Sequence, residues 1–326
     1  MVGPSRSRTL RPEPGRLHVI SERDVGLFSL LQQVIANVPW ALAEGRVPVV
    51  DFRTRTCYWT PNGHRGRSTV WEYYFEPLIP THPADRVPAE LRARIAVEPP
   101  SAFEIGYAAP GGSFVSCHFG DHAELSGAAL AIPYEWDDPD ELLRRQAKQV
   151  LDRYVRPRPH IQREVRRFGA KHMAGHHVIG VHVRGTDAVS SQEVRPHRQS
   201  SLLLDRYVVE IQRRLEVTPT AKVFVASDDE SSVAFLRGEF PGRVIAYDSI
   251  RHRGGDPAGH GPTGWLMPAY IAGDRDLAAR NGEEAVLEYL LLSRCDDLVH
   301  NGSSLARTVL LNAPDLPHVN THGRLT

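Results

Sequence analysis

Two segments of this chain carry side chains suited to a phosphorylated ligand at the ends of apolar runs. In Gly180-Val-His-Val-Arg-Gly-Thr-Asp187 an apolar run delivers Arg184, Thr186 and Asp187 to its far end, and Gly185 permits a sharp exit. A guanidinium placed there can form a forked pair with a diphosphate and offset the charge that develops as it departs. The plainer alternative is an ion pair with Asp187. In Leu298-Val-His-Asn-Gly-Ser-Ser304, followed by an apolar helical stretch, hydroxyls and free backbone N–H groups fall at a helix N-terminus. That combination cradles anions, although a serine there can equally be an ordinary N-cap. Arg307, in the same first turn, faces either those phosphates or solvent.

Ala226-Ser-Asp-Asp-Glu230 ends another apolar run. Adjacent acids in extended chain point apart, so Asp228 and Asp229 read as a cap and a supporting contact rather than as paired metal ligands. Glu288 interrupts the apolar run Val286-Leu-Glu-Tyr-Leu-Leu-Leu292. A carboxylate on such a face needs a partner: a structural cation, or a base with N–H donors such as guanine. His172, His176 and His177 are interrupted by Gly175 and have no evident fourth ligand. His252 and His260 sit in a loop rich in Gly, Pro and His. No metal is expected at any of these places.

The elements that must position these groups are clearest in the second half. Strands are expected over 178–183, 222–227, 243–247 and 296–300, with helices over 202–215, 231–237, 283–294 and 303–312, and a long loop over 249–281. Strands alternating with helices imply a parallel sheet with right-handed crossovers, and such sheets bind ligands at their carboxyl ends. Earlier, 17–20 reads as a strand and 47–52 as another. Between them Leu27, Leu31, Val34, Ile35, Val38 and Leu42 repeat at helical spacing, and Pro39 should kink or shorten the helix. Residues 54–135, rich in Pro, Gly and aromatics, resist assignment. A charged helix over about 139–155 should end at Pro157 and Pro159. The organisation expected is a disordered tail (1–16), an N-terminal domain (17–160) and a C-terminal domain (161–326).

Composition narrows the classes. Apolar residues are 41% and aromatics 8% of 326 residues, as in a globular protein of two ordinary domains. Net charge is +0, so no global field calls for nucleic acid or an anionic membrane. Lysine occurs only at Lys148, Lys171 and Lys222, so arginine does nearly all the basic work. Cys57, Cys117 and Cys295 form no CxxC pair, which argues against a disulfide framework and a cysteine zinc site. There is no apolar run of the roughly 18 residues that a membrane span needs and no secretory pattern at the start. The cytoplasm is the expected location.

Across about 175–315 the order G-V-H-V-R-x-T-D, then A-S-D-D, then L-E-x-L-L-L-S-R-C-D-D-L-V ending in G-S-S resembles the α1,6-fucosyltransferase family, including the bacterial nodulation enzymes, and more loosely the protein O-fucosyltransferase superfamily. Gly26–Asp51 is similar to the start of the N-terminal domain in related enzymes. The resemblance implies an α/β fold of two Rossmann-like domains, GT-B-like, with the nucleotide site in the C-terminal domain. It implies inverting, metal-independent transfer from GDP-fucose to a glycan or small-molecule hydroxyl, with no cofactor. Arg184 would meet the β-phosphate, His182 lie by the nucleoside, Glu288 read guanine, and Ser303 and Ser304 meet the diphosphate. Asp228 and Arg307 complete the expected donor-binding set. Asp187 and Glu193 are the candidates for accepting the acceptor's proton. The chain departs from close relatives in having Gly185 for a second arginine, Ala188 for a lysine, Gln192 (or Glu193, with one inserted residue) at a glutamate, and Leu305 for an amide. Two alternatives follow: a transferase using a UDP- or dTDP-sugar, and a non-catalytic nucleotide-binding relative.

Overall fold

The computed structural model describes residues 17–22, 25–43, 47–78, 132, 138–184, 204–254, 256, 271 and 273–321. In chain order the elements are β1 (Leu17–Ser21), α1 (Leu27–Ala43), β2 (Val47–Asp51), α2 (Val70–Tyr74), α3 (Glu141–Tyr154), α4 (Pro159–His172) and β3 (Val178–Val183). There follow α5 (Leu204–Val217), β4 (Lys222–Ser227), α6 (Glu230–Glu239), β5 (Val244–Ile245), α7 (Arg275–Leu292), β6 (Asp297–His300), α8 (Ser304–Asn312) and β7 (His318–Asn320).

The second half forms a parallel sheet in the order β5-β4-β3-β6-β7. After β3 the chain moves outward through β4 and β5, then crosses back to place β6 on the other side of β3. The strand order therefore reverses between β3 and β6, the place where such sheets form a ligand crevice at their carboxyl ends. Strand alternation divides the core. Ile179, Val181, Val183, Val223, Val225 and Val299 pack on one face against Tyr207 and Ile211 of α5 and Val233 and Leu236 of α6. Val178, Phe224, Ala226 and Leu298 belong to the larger cluster formed with α4, α7 and α8. Gly180 belongs to this second face, where a Cβ would stand 3.0 Å from Cys295 Sγ and 3.1 Å from a Leu292 methyl; its lack of a side chain lets the end of α7 approach β3.

The same cluster runs on into the N-terminal half, where β1 and β2 pair in parallel and α1 is buried along nearly its whole length. Pro39 neither ends nor shortens α1. The helix continues to Ala43, with Val38 and Ala41 buried around the proline, so packing outweighs the one backbone hydrogen bond lost there. Pro159 likewise opens α4 at its first turn rather than closing the helix before it. The spacing Ile161, Val165, Phe168 marks the apolar stripe of α4, which the charge-based reading passes over. The expected loop over 249–281 is shorter than its composition suggests: Asp274 caps the amides of Asp276 and Leu277 and starts α7 eight residues earlier than the apolar pattern does.

The aromatic run that resists assignment is core. Thr69 caps α2, and Trp71, Tyr73, Tyr74 and Phe75 are buried, with Trp71 stacked on Phe75 at 4.5 Å. This segment is fastened to α7 by Tyr74 Oη donating to Ala279 O (2.8 Å), Thr60 Oγ1 donating to Asp276 (2.7 Å) and Arg65 forking onto Glu283 (2.6 and 2.7 Å). A Cβ at Gly282 would stand 2.3 Å from Tyr74 Oη and 2.9 Å from Tyr58 Cδ1. Gly282→Ala should therefore destabilise the protein by about 1–3 kcal/mol. Gly238→Ala, in open space on α6, should be neutral or stabilising by up to about 1 kcal/mol. Chemical denaturation midpoints of the two variants check this, and equal midpoints contradict the packing described.

Candidate active site

Arg184 leaves the carboxyl end of β3 with its side chain 39% exposed, its Nε 3.9 Å from Asp228 Oδ2 at the end of β4. Among the described residues Asp228 thus faces Arg184; the Asp187 pairing considered from sequence lies outside them. Asp229 turns the other way, accepting from Ser232 N (2.8 Å) as the cap of α6 and lying 3.7 Å from His252 Nδ1. The two adjacent acids point apart, as extended chain requires.

Beside β3, β6 ends at His300; Asn301 and Gly302 follow, the latter at φ +69, and Ser303 caps α8. Ser303 Oγ accepts from Ala306 N (3.2 Å) and lies 3.2 Å from His182 Nδ1. The tips of β3 and β6 are therefore tied side chain to side chain. His182 is 5% exposed. Burial, and after it the charges of Arg184 and His300, push its pKa down to about 3, so its ring is neutral. Ser304 Oγ lies 3.0 Å from Ser29 Oγ in the first turn of α1, and Gln32 Nε2 donates to Ser304 O (2.9 Å) and Thr308 Oγ1 (3.1 Å). Two helix N-termini thus meet at the mouth of the crevice. Ser303 takes the Ala306 amide, and its carbonyl takes that of Arg307, which leaves the first-turn amides of Ser304 and Leu305 outside the helical ladder. Arg307 is 3% exposed, so it faces the interior and not solvent.

Glu288 lies on α7 near the end of β4. Ser249 Oγ donates to its Oε1 (2.6 Å), and Arg251 Nη2 reaches the same oxygen at 3.4 Å. Burial, against the opposing pull of Arg251 and the Ser249 bond, raises its pKa to about 7; the charges of Glu284 and Asp228 act in the same upward direction. Arg251 is 6% exposed and also donates to Ser227 O (3.1 Å) and Tyr247 O. Ile250 N donates to Glu284 (2.7 Å). The loop after β5 is therefore clamped onto α7. Sequence reasoning missed Arg251, Ser249 and Ser29: none lies in a periodic segment or a motif, and arginine is abundant. It also missed Tyr58, whose ring packs beside Gly282 and feels the Arg184 charge.

The structure thus brings Arg184, His182, Asp228, Ser303 and Ser304 together at the carboxyl ends of β3, β4 and β6, with Glu288 coupled to them through Asp228, while Arg307 is buried in the first turn of α8. Asp187 and Glu193, with Gly185, Ala188 and Gln192, lie outside the described residues, as does His260. His177 pairs with Asp297 (3.3 Å) and His172 packs on Phe168 (centroids 4.6 Å apart), each apart from the other. No helix among the described residues is long and apolar enough to cross a membrane.

A parallel sheet with its strand order reversing beside a guanidinium and a helix N-terminus is the architecture of a GT-B-like α/β protein. Fucosyltransferases are among the solved structures it is similar to. NodZ α-1,6-fucosyltransferase co-crystallised with GDP matches over 94% of each chain at 19% identity, TM-score 0.56. Fucosyltransferase NodZ from Bradyrhizobium matches over 94% of each at 18% identity, TM-score 0.55. POFUT1 in complex with GDP-fucose matches over 94% of this chain and 96% of that one, at 12% identity and TM-score 0.51. In sequence, 153 residues are 27% identical to nodulation protein Z of Azorhizobium caulinodans, covering 46% of this chain and 40% of that protein. No protein-family model matches the chain. The resemblance to the nodulation-type fucosyltransferases, read above from three motifs in order, thus holds in sequence and in fold.

Proposed function

We propose that this protein is an inverting, metal-independent glycosyltransferase that moves fucose from GDP-fucose to a hydroxyl acceptor. Its donor site lies in the 161–326 half and its acceptor side in the 17–160 half. The observation that carries this reading is the joining of the β3 and β6 tips through His182 and Ser303 at the switch point, with Arg184 on one side and the α8 N-terminus on the other. The support from comparison is that similar folds have been crystallised with GDP and with GDP-fucose.

In the proposed reaction an acceptor hydroxyl attacks the anomeric carbon as the bond from that carbon to the β-phosphate oxygen breaks, and GDP leaves with the bonding pair. Arg184 and the Ser304 and Leu305 amides meet the developing negative charge, the role a metal ion plays in other transferases. Asp187 or Glu193 takes the hydroxyl proton. Glu288 accepts from the N–H groups of guanine. The proposed place of action is the cytoplasm.

A second reading draws on the raised Glu288 pKa. A protonated carboxyl can donate to a pyrimidine carbonyl, which suits UDP- or dTDP-sugars. Thermal unfolding with GDP, UDP and dTDP separates the two. GDP should raise the melting temperature, since about 100 Kd of ligand adds about 2.7 kcal/mol, while UDP and dTDP leave it unchanged. The reverse pattern overturns the GDP assignment. GDP binding with neither sugar transfer nor slow donor hydrolysis marks a non-catalytic relative.

A further inference from the structure

Outside the proposed contact set lies a partly buried cluster of Asp138, His300 and His318, whose ligand-type atoms all fall within 4.8 Å of one another. His300 is fully buried. Its Nδ1 accepts from Gly302 N at 3.0 Å, and its Nε2 faces Asp138 Oδ1 across 3.6 Å. Asp138 Oδ2 lies 3.3 Å from His318 Nε2, and Asn320 Nδ2 donates to Asp138 Oδ1 at 3.3 Å. His318 Nδ1 lies 3.1 Å from Leu316 O, and Arg144 Nη2 lies 3.2 Å from His318 Nε2.

The hydrogen-bond directions decide what this cluster can do. An Nδ1 that accepts from a backbone amide carries no proton, so neutral His300 bears its proton on Nε2, facing Asp138. That nitrogen then has no lone pair for a metal. At His318 a guanidinium already approaches the nitrogen that would bind one. The cluster has the residue types of a metal site and the bonding of a brace.

We propose that His300 is a positioning residue for the donor pyrophosphate: its Nδ1 holds the Gly302 amide, fixing the left-handed turn that aims the first-turn amides of α8 into the crevice. Asp138 selects the tautomer that makes this possible, and Asn320 Nδ2, donating to Asp138 Oδ1, holds that carboxylate in place. Gly302 is the residue that can take φ +69 without a Cβ penalty. Its amide, once engaged by His300, is withdrawn from competition for the anion, which leaves those of Ser304 and Leu305. This inference rests on the donor site proposed above.

Two substitutions separate positioning from packing. Asparagine puts a carbonyl oxygen near the place of Nδ1, whereas glutamine reaches the place of Nε2. His300→Asn should keep the KM for GDP-fucose within about threefold of wild type. His300→Gln should raise it about tenfold, the loss of roughly one aligned hydrogen bond, with kcat within about threefold. Thermal unfolding of the two variants should be similar. Equal KM for the two variants overturns the proposal. Independently of turnover, 15N ring shifts of histidine-labelled wild type should report Nδ1 of His300 as unprotonated; a protonated Nδ1 overturns it. So does a rise in melting temperature with Zn2+ that His318→Ala abolishes. If wild type neither binds nor turns over GDP-fucose, the donor reading fails, and the ring shifts alone decide the brace.

Discussion

Arg184→Ala is expected to lower kcat for sugar transfer by about 10²-fold or more, the usual consequence of removing a positioned donor from developing charge. The loss should appear in kcat more than in KM, because a departing phosphate carries more charge in the transition state than in the bound donor. Unfolding cannot account for such a loss. The side chain is 39% exposed and its ion pair with Asp228 spans 3.9 Å, and exposed pairs of this kind contribute at most about 1 kcal/mol. His182 stays neutral in the variant, since burial is the main cause of its lowered pKa. Arg184→Lys keeps the charge but not the fork, and should fall between, roughly tenfold below wild type. Release of GDP from GDP-fucose, followed at saturating donor, measures all three. Turnover of the alanine variant within about threefold of wild type removes Arg184 from the leaving group.

Glu288→Gln is expected to weaken binding of GDP-fucose by about 10- to 100-fold, because the new amide turns N–H donors toward the N–H donors of guanine and leaves buried groups unpaired. Glutamine keeps an oxygen for the Ser249 hydroxyl, which makes it a gentler probe than alanine; alanine would strand the buried guanidinium of Arg251. The same carboxyl predicts a pH dependence. With a pKa of about 7 it is mostly protonated at pH 6 and mostly ionised at pH 8. A carboxylate is needed to accept two base N–H groups, so affinity for GDP-fucose should rise roughly tenfold over that interval and level off above it. GDP-fucose is the ligand to use, because its phosphodiester groups do not titrate there. The donor-free protein should behave oppositely. An acid whose folded pKa lies above its unfolded value favours folding while protonated, so this contribution is present below about pH 4.5 and is lost as pH rises through about 7. Calorimetric titration at pH 6, 7 and 8 checks the first trend and thermal unfolding the second. A flat affinity profile, or one that falls with pH, overturns Glu288 as the reader of guanine.

Local order made the C-terminal half legible. β3 and β4 fall on the residues expected from their apolar runs, because strands covered on both faces show as continuous hydrophobic segments. α8 begins at Ser304, next to the serine that caps it, since a capping serine announces itself in sequence. Where the signal was composition rather than period, the reading failed. The aromatics of 71–75 resisted assignment and the stretch after Asp274 read as loop, yet they form α2 with its C-cap and the first turns of α7. Short helices and helix starts set by a capping acid leave little periodic trace. β7 has three residues, too few to alternate visibly.

The sequence by itself determined that a cation and a capped helix sit at the ends of two parallel strands, because each depends on residues within one turn or one strand of each other. It could not determine that those strands are neighbours, that Asp228 faces Arg184, or that Glu288 is shared by Ser249 and Arg251. Nor could it place Ser29 on Ser304, 275 residues away, or Asp138 on His300. Such pairings are selected by how helices pack on a sheet whose strand order reverses, and that choice is made by burial summed over the whole core rather than by any local pattern.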